Sequence, residues 1–247
     1  MFPIRDHNPS GRTPYVTYAL IVINVLVFIS YLNLFGDERA LQLFFMKWGI
    51  LPARIGAGDG YDTLITSMFL HAGFMHIAGN MLFLWIFGDN LEDEMGHIPY
   101  LLFYLACGIA AGLVHVSASP GSLVPTVGAS GAIAGVMGGY LLLYPKARID
   151  ILLIIIIFFR IFTIPAWIML AVWFGLQFFG GLSADANMGG VAYWAHAGGF
   201  VAGIVLTLPV FLRKGGSRFW HENDFHPPHP EAKYDPSNIP TVRRRRK

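Results

Sequence analysis

Six long apolar stretches, separated by short polar ones, occupy most of the chain: Tyr15 to Leu34, Leu64 to Phe87, Pro99 to His115, Ala129 to Leu143, Pro165 to Phe179 and Val191 to Leu212. None alternates with the two-residue period of a strand that has one wet face. Backbone polar groups in lipid must be satisfied within the segment, and a helix needs about 20 apolar residues to cross a core about 30 Å thick. The pattern predicts an all-α fold, a polytopic bundle of six transmembrane helices. Ala129 to Leu143 is too short to cross unaided, so it predicts a helix that starts below the membrane surface.

The polar interruptions sharpen the outline. Phe35 to Asp62 mixes charges with Leu43, Phe44, Phe45 and Trp48, the composition of a segment lying in the membrane interface. Gly73 marks a loop entering a helix near Met75, and Gly88 to Gly96 reads as an acidic turn ending it. Ile149 to Phe179 exceeds one crossing. Its aliphatic start, Ile151 to Ile157, fits an extended or interfacial lead-in, with the fifth span near Pro165 to Phe179. Gly215 to Lys247 is rich in Pro, His and charge and is short of apolar residues, which predicts disorder. Three parts result: a cytoplasmic segment over 1–14, a six-helix membrane domain over 15–212 and a disordered basic cytoplasmic tail over 213–247.

Composition agrees with a membrane protein. Of 247 residues, 55% are hydrophobic and only 13% charged, and the mean hydropathy is +0.54, outside the range of soluble domains. The single cysteine, Cys107, excludes a disulfide framework and reads as a small buried hydrophobe. The 17 Lys and Arg divide unevenly. The loops after spans one, three and five hold three, none and none, against two, three and nine for the N-terminus, the stretch after span four and the tail. The positive-inside rule then puts both termini in the cytoplasm. It also puts the starts of spans four and six, and the beginning of span two, at the outer side.

Candidate chemistry gathers at that outer side. Ser130 stands between glycines at the head of span four, where the first backbone N–H groups of a helix have no partner and could hold an oxyanion. Alone, Gly131, Gly135 and Gly139 are first a helix-packing surface. A second stretch changes the balance. His196, Gly199 and Gly203 lie at i, i+3 and i+7, on one face of span six. A histidine on a glycine-lined face can approach another such face closely enough to reach Ser130. In span two, His76 and Asn80 share a face four residues apart, and His71 precedes them; polar groups at this depth are costly and mark function when they face inward.

In its order and spacing of His71-x4-His76-x3-Asn80, Gly128-Ala129-Ser130-Gly131 and Ala195-His196-x2-Gly199-x3-Gly203, residues 15–212 resemble the rhomboid intramembrane serine proteases in their six-span bacterial form. The resemblance implies Ser130 as nucleophile and His196 as general base. His76, Asn80 and the Ser130 N–H would form the oxyanion hole, and His71 would brace the loop. Glu92 falls where the family often keeps a structural carboxylate, and Gly131, Gly199 and Gly203 would support the packing. Transmembrane segments of other proteins, entering sideways from the lipid, would be the substrates. Neither metal, cofactor nor nucleic acid is implied, and the location would be a bacterial inner or plasma membrane. Two departures stand out. Many members carry an aromatic residue four after the serine that stacks on the histidine; here it is Ala134, so His196 needs support from elsewhere. The Trp-Arg pair of the first outer loop is replaced by Trp48-Gly49.

Other mechanisms fit less well. A metal transporter or metalloprotease would draw on His71, His76, His115 and His196, but there is no His-Glu-x-x-His and no carboxylate beside the outer histidines. An aspartyl protease needs intramembrane aspartates, whereas Asp62 and Asp89 fall in predicted loops. A non-catalytic relative usually loses the serine or the histidine.

Overall fold

The structure is a computed structural model that describes residues 2–155, 158–183 and 190–234. A short strand β1 (Phe2–Asp6) precedes α1 (Tyr15–Ser30), and a 3-10 turn at Leu32–Gly36 leads to α2 (Glu38–Trp48). Two small helices, α3 (Pro52–Gly56) and α4 (Thr63–Thr66), precede α5 (Phe74–Met95) and α6 (His97–Ala118). Next come α7 (Ser130–Leu143), strands β2 (Arg148–Ile155) and β3 (Phe158–Pro165), α8 (Ala166–Ser183), α9 (Tyr193–Arg213) and α10 (Ser217–Glu222). By length and hydropathy α6, α8 and α9 can each cross a membrane, and the Thr63–Phe69 segment with α5 makes a fourth candidate bent by 96°. The helices α1 and α7 are apolar but shorter. The chain is an integral, multi-pass membrane protein, mostly helical.

Buried on nearly every side, α7 is the axis of the bundle. Its closest neighbour is α9, and glycine makes the approach possible. A Cβ on Gly199 would lie 2.0 Å from the Gly131 carbonyl oxygen, and one on Gly203 would lie 1.9 Å from that of Gly135. Without side chains between them the two backbones pack directly, as small residues allow in lipid. A Cβ on Gly135 would lie 2.4 Å from that of Cys107, so α6 packs as tightly on α7. The lipid-facing surface is correspondingly apolar; Val172, Leu176 and Phe179 of α8 all point outward.

At one end of the bundle, Glu92 of α5 performs a service for α1. Pro14 precedes α1 and offers no capping side chain, so the first N–H groups of the helix need another acceptor. Glu92, almost fully buried, accepts from the Val16 and Thr17 N–H groups and the Thr17 hydroxyl, each at 2.8 Å, and lies 2.6 Å from Nδ1 of His97. Negative charge at a helix N-terminus also suits the helix dipole. The turn from α5 to α6 is made by Gly96 at φ +81°, a left-handed conformation that favours glycine.

Three expectations change. The all-α class gains a three-stranded antiparallel sheet in the order β1-β2-β3 at this same end. The aliphatic lead-in is extended as far as Ile155, within β2, and Ile149 and Ile151 are buried in the core. The acidic segment expected as a turn is the last two turns of α5, which runs to Met95. The expected disorder of the tail does not reach residues 213–234. Its aromatic residues supply the missing apolar contacts: Phe219 is buried, Trp220 packs on Phe211 at 4.6 Å between ring centroids, and its indole N–H donates to the Leu142 carbonyl at 2.9 Å. Beyond α10 the chain returns to β1, where the Ala232 N–H donates to the His7 carbonyl at 3.0 Å and Tyr234 lies under Arg5. The basic run Arg243 to Lys247 lies outside the described residues.

Polar side chains tie this end together. Asp150 of β2 accepts from Arg5 at 2.7 Å and from Thr163 at 2.6 Å, and lies 2.9 Å from Nε2 of His7. Burial alone would raise its pKa, but the hydrogen bonds from Thr163, His7 and Arg5 outweigh it and hold the carboxyl below the usual range. Asp6 goes the other way: burial and the neighbouring Asp89 push it up to about 8, although the Tyr140 hydroxyl donates to it at 2.8 Å.

Candidate active site

The other end of the bundle holds the start of α7. The loop approaching it is pinned by two backbone hydrogen bonds between Ile50 and Thr126, of 2.9 and 2.8 Å, and by Thr126 Oγ1 at 2.8 Å from Nε2 of His115. Gly128 then takes φ +137°, and its N–H donates to the Ser67 carbonyl at 2.9 Å. This sharp entry sets Ser130 at the first helical position, where its N–H and that of Gly131 have no intrahelical acceptor.

Direct backbone contact between α7 and α9 brings His196 to Ser130. Nε2 of His196 is 2.7 Å from Ser130 Oγ, the distance of a good hydrogen bond. The same imidazole has a second partner. Its Nδ1 is 2.8 Å from Oε1 of Gln177 on α8, and the Gln177 amide nitrogen donates to the Trp173 carbonyl at 3.3 Å. The Trp173 ring lies 5.8 Å from that of His196, tilted by 32°. Ala134, buried in the core, offers no ring, and the ring beside the imidazole comes from α8 instead.

From α5, His76 and Asn80 face the same space. Nδ1 of His76 accepts from the Ala72 N–H at 3.2 Å, which leaves the proton on Nε2. That Nε2 faces the entry to α7, since a Cβ on Gly128 would stand 2.8 Å from it and 3.4 Å from Ser130 Oγ. Asn80 Nδ2 is buried and has no partner among the described residues, a donor without an acceptor. These groups line a cavity of about 1140 Å³ that extends past His115 to Trp173.

His71 sits behind this constellation. Fully buried, its ring meets that of His76 at 5.1 Å, edge to face, and neither ring nitrogen has a partner among the described residues. The loop is held instead through the main chain of His71, whose N–H donates to the Tyr31 hydroxyl at 2.8 Å while that hydroxyl donates to the His71 carbonyl at 2.9 Å. Glu92 lies at the far end of α5, away from Ser130. Among the described residues no three His, Cys, Asp or Glu side chains gather as a metal-binding group. Asp185, the acidic residue nearest His196 in the sequence, lies outside the described residues.

Sequence reasoning missed Gln177 and Tyr31. Gln177 left one trace, a lone amide in the apolar run Pro165 to Phe179, of the kind that faces another helix.

Comparison with known proteins bears on the family of the chain. The rhomboid domain model matches residues 59–213. Rhomboid protease GluP of Bacillus subtilis (strain 168) is 30% identical over 204 residues, covering 83% of this chain and 36% of that protein. Rhomboid protein 1, mitochondrial, of Saccharomyces cerevisiae is 29% identical over 196 residues, covering 77% and 51%. Putative rhomboid protease YdcA of Bacillus subtilis is 33% identical over 122 residues, covering 49% and 61%. The chain thus spans about a third to a half of the length of the first two. The matched region opens in the loop before α4 and closes on the last residue of α9, so it takes in His71, His76, Asn80, Ser130, Gln177 and His196, and by that match the chain belongs to the rhomboid family.

Proposed function

We propose that this chain is an intramembrane serine endopeptidase that cleaves transmembrane segments of other membrane proteins with a Ser130–His196 dyad. The observation that carries the reading is the 2.7 Å contact between Ser130 Oγ and His196 Nε2 at the wall of a cavity. Nε2 takes the hydroxyl proton as Oγ attacks a peptide carbonyl, and returns it to the leaving amine as the C–N bond breaks; water then repeats the cycle on the acyl-enzyme. The negative oxygen of each tetrahedral state falls to three donors: the Asn80 amide, which has no partner among the described residues, Nε2–H of His76 and the N–H of Ser130. His71 acts at a distance, through the loop that Tyr31 holds.

Residues 15–212 act as six spans with both termini in the cytoplasm, which sets the cavity toward the outer side; the count of Lys and Arg supports this orientation. The substrate reaches the site from the lipid and must unwind locally, because helical carbonyls are already bonded. Small or helix-breaking residues near the scissile bond satisfy that need.

The test pairs labelling with cleavage. A fluorophosphonate probe is expected to label Ser130 in the reconstituted full chain, and Ser130→Ala or His196→Ala to abolish cleavage of a model transmembrane substrate. Full activity in either variant would overturn the serine mechanism, and loss of wild-type activity on adding a chelator would favour a metal-dependent one.

A further inference from the structure

We propose that Gln177 is a positioning residue whose amide oxygen keeps the proton of His196 on Nδ1 and so leaves the Nε2 lone pair facing the Ser130 hydroxyl. The proposal rests on the Ser130–His196 reading above and assigns the third member of that arrangement.

The geometry fixes the sense of each bond. The Trp173 carbonyl only accepts, so the Gln177 group 3.3 Å from it is the NH₂ end of the amide. The oxygen therefore faces Nδ1 of His196, at 2.8 Å. An amide oxygen also only accepts, so Nδ1 carries the proton, and in a neutral imidazole the other nitrogen is then the acceptor. That nitrogen is the one 2.7 Å from Ser130 Oγ. The opposite tautomer would set two lone pairs against each other across 2.8 Å and turn an N–H toward the nucleophile.

Trp173 and Gln177 are four residues apart and share one face of α8, so one helix supplies both the acceptor and the ring beside the imidazole. When His196 takes the serine proton, the Nδ1–H bond to Gln177 becomes charge-assisted and strengthens. An uncharged amide does this on a helix whose outer face is lipid-exposed at Val172, Leu176 and Phe179. The charged or titratable neighbours that act on His196 are His76 and His115, and substituting Gln177 leaves both in place.

The experiment compares the wild-type full chain with Gln177→Leu and Gln177→Glu, all reconstituted in vesicles and assayed on a transmembrane substrate across pH. Gln177→Leu is expected to lower kcat about tenfold, the low end for a hydrogen bond to a charged group, with KM unchanged. Gln177→Glu is expected to restore most of kcat and to move the acid limb of kcat/KM to higher pH, because the carboxylate favours the imidazolium. An acid limb in Gln177→Glu that coincides with the wild type, or a Leu effect confined to KM, would overturn the proposal. One arm needs no variant: in 15N-histidine-labelled wild type, His196 is expected to give the Nδ1-protonated tautomer, and the Nε2-protonated form would overturn the proposal even if both substitutions prevent folding. Ser130→Ala and His196→Ala separate the two readings. If both are inactive while the Gln177 variants match the wild type, only the positioning role fails; if both stay active, the dyad itself fails.

Discussion

Under the proposed mechanism, Asn80 is the residue with the most sharply defined role. A buried amide N–H with no acceptor is a standing cost of about 1–3 kcal/mol, tolerable if an oxyanion supplies the acceptor during reaction. Asn80→Ala should therefore leave thermal stability unchanged or slightly raised while turnover falls on the order of 100- to 1,000-fold; equal losses in stability and activity would point to a packing role instead. That Ser130, His196, His76 and Asn80 would face one another was legible in the sequence, because each lies in a short motif whose spacing fixes a helix face. Gln177 was not. Its partner is on another helix 19 residues away, and no local pattern in α8 encodes what α9 will present to it. Ala134 gave only half of that information: it told that a ring was missing there, not that Trp173 would come from the other side.

Among the elements, α7 was read to within a residue of its observed bounds, since glycine and serine open it and Tyr144-Pro145 close it. Of the strands, β2 was legible only as an extended or interfacial lead-in and β3 not at all, because a continuous aliphatic run such as Ile151 to Ile157 has neither helical nor strand period, and the strand that completes their sheet comes from residues 2–6. The α7–α9 contact makes the most exacting demand on sequence. A side chain on Gly203 has no room beside the Gly135 carbonyl, and overpacking a tight core costs about 1–3 kcal/mol or more. Gly203→Val is expected to lower the midpoint of thermal unfolding in detergent on the order of 10 °C and to abolish cleavage, whereas Gly175→Ala on α8, with open space around it, should change neither. Equal stability in the two variants would show that the helices can separate without loss.

On the scale of the whole molecule the two ends differ in kind. One carries the cavity, and the other a polar clasp in which β1, β2 and residues 231–234 meet. Within that clasp Asp6, raised from 3.8 to about 8, keeps its proton in the fold at pH values where the unfolded chain has released it. Its contribution to stability is thus greatest below about pH 4, declines as pH rises toward 8, and is flat above that. Melting curves between pH 5 and 8 should show a decline in the wild type that Asp6→Asn flattens; parallel curves would mean that Asp6 ionises freely. Glu92 links this end to the history of the chain. The acceptor that α1 lacks in its own sequence is supplied 76 residues after Val16, which at about 5–20 residues per second leaves the first helix waiting about 4 to 15 seconds on the ribosome's clock. During that interval the start of α1 is without its acceptor, and the helix takes its final seat only once the second long hydrophobic segment has emerged.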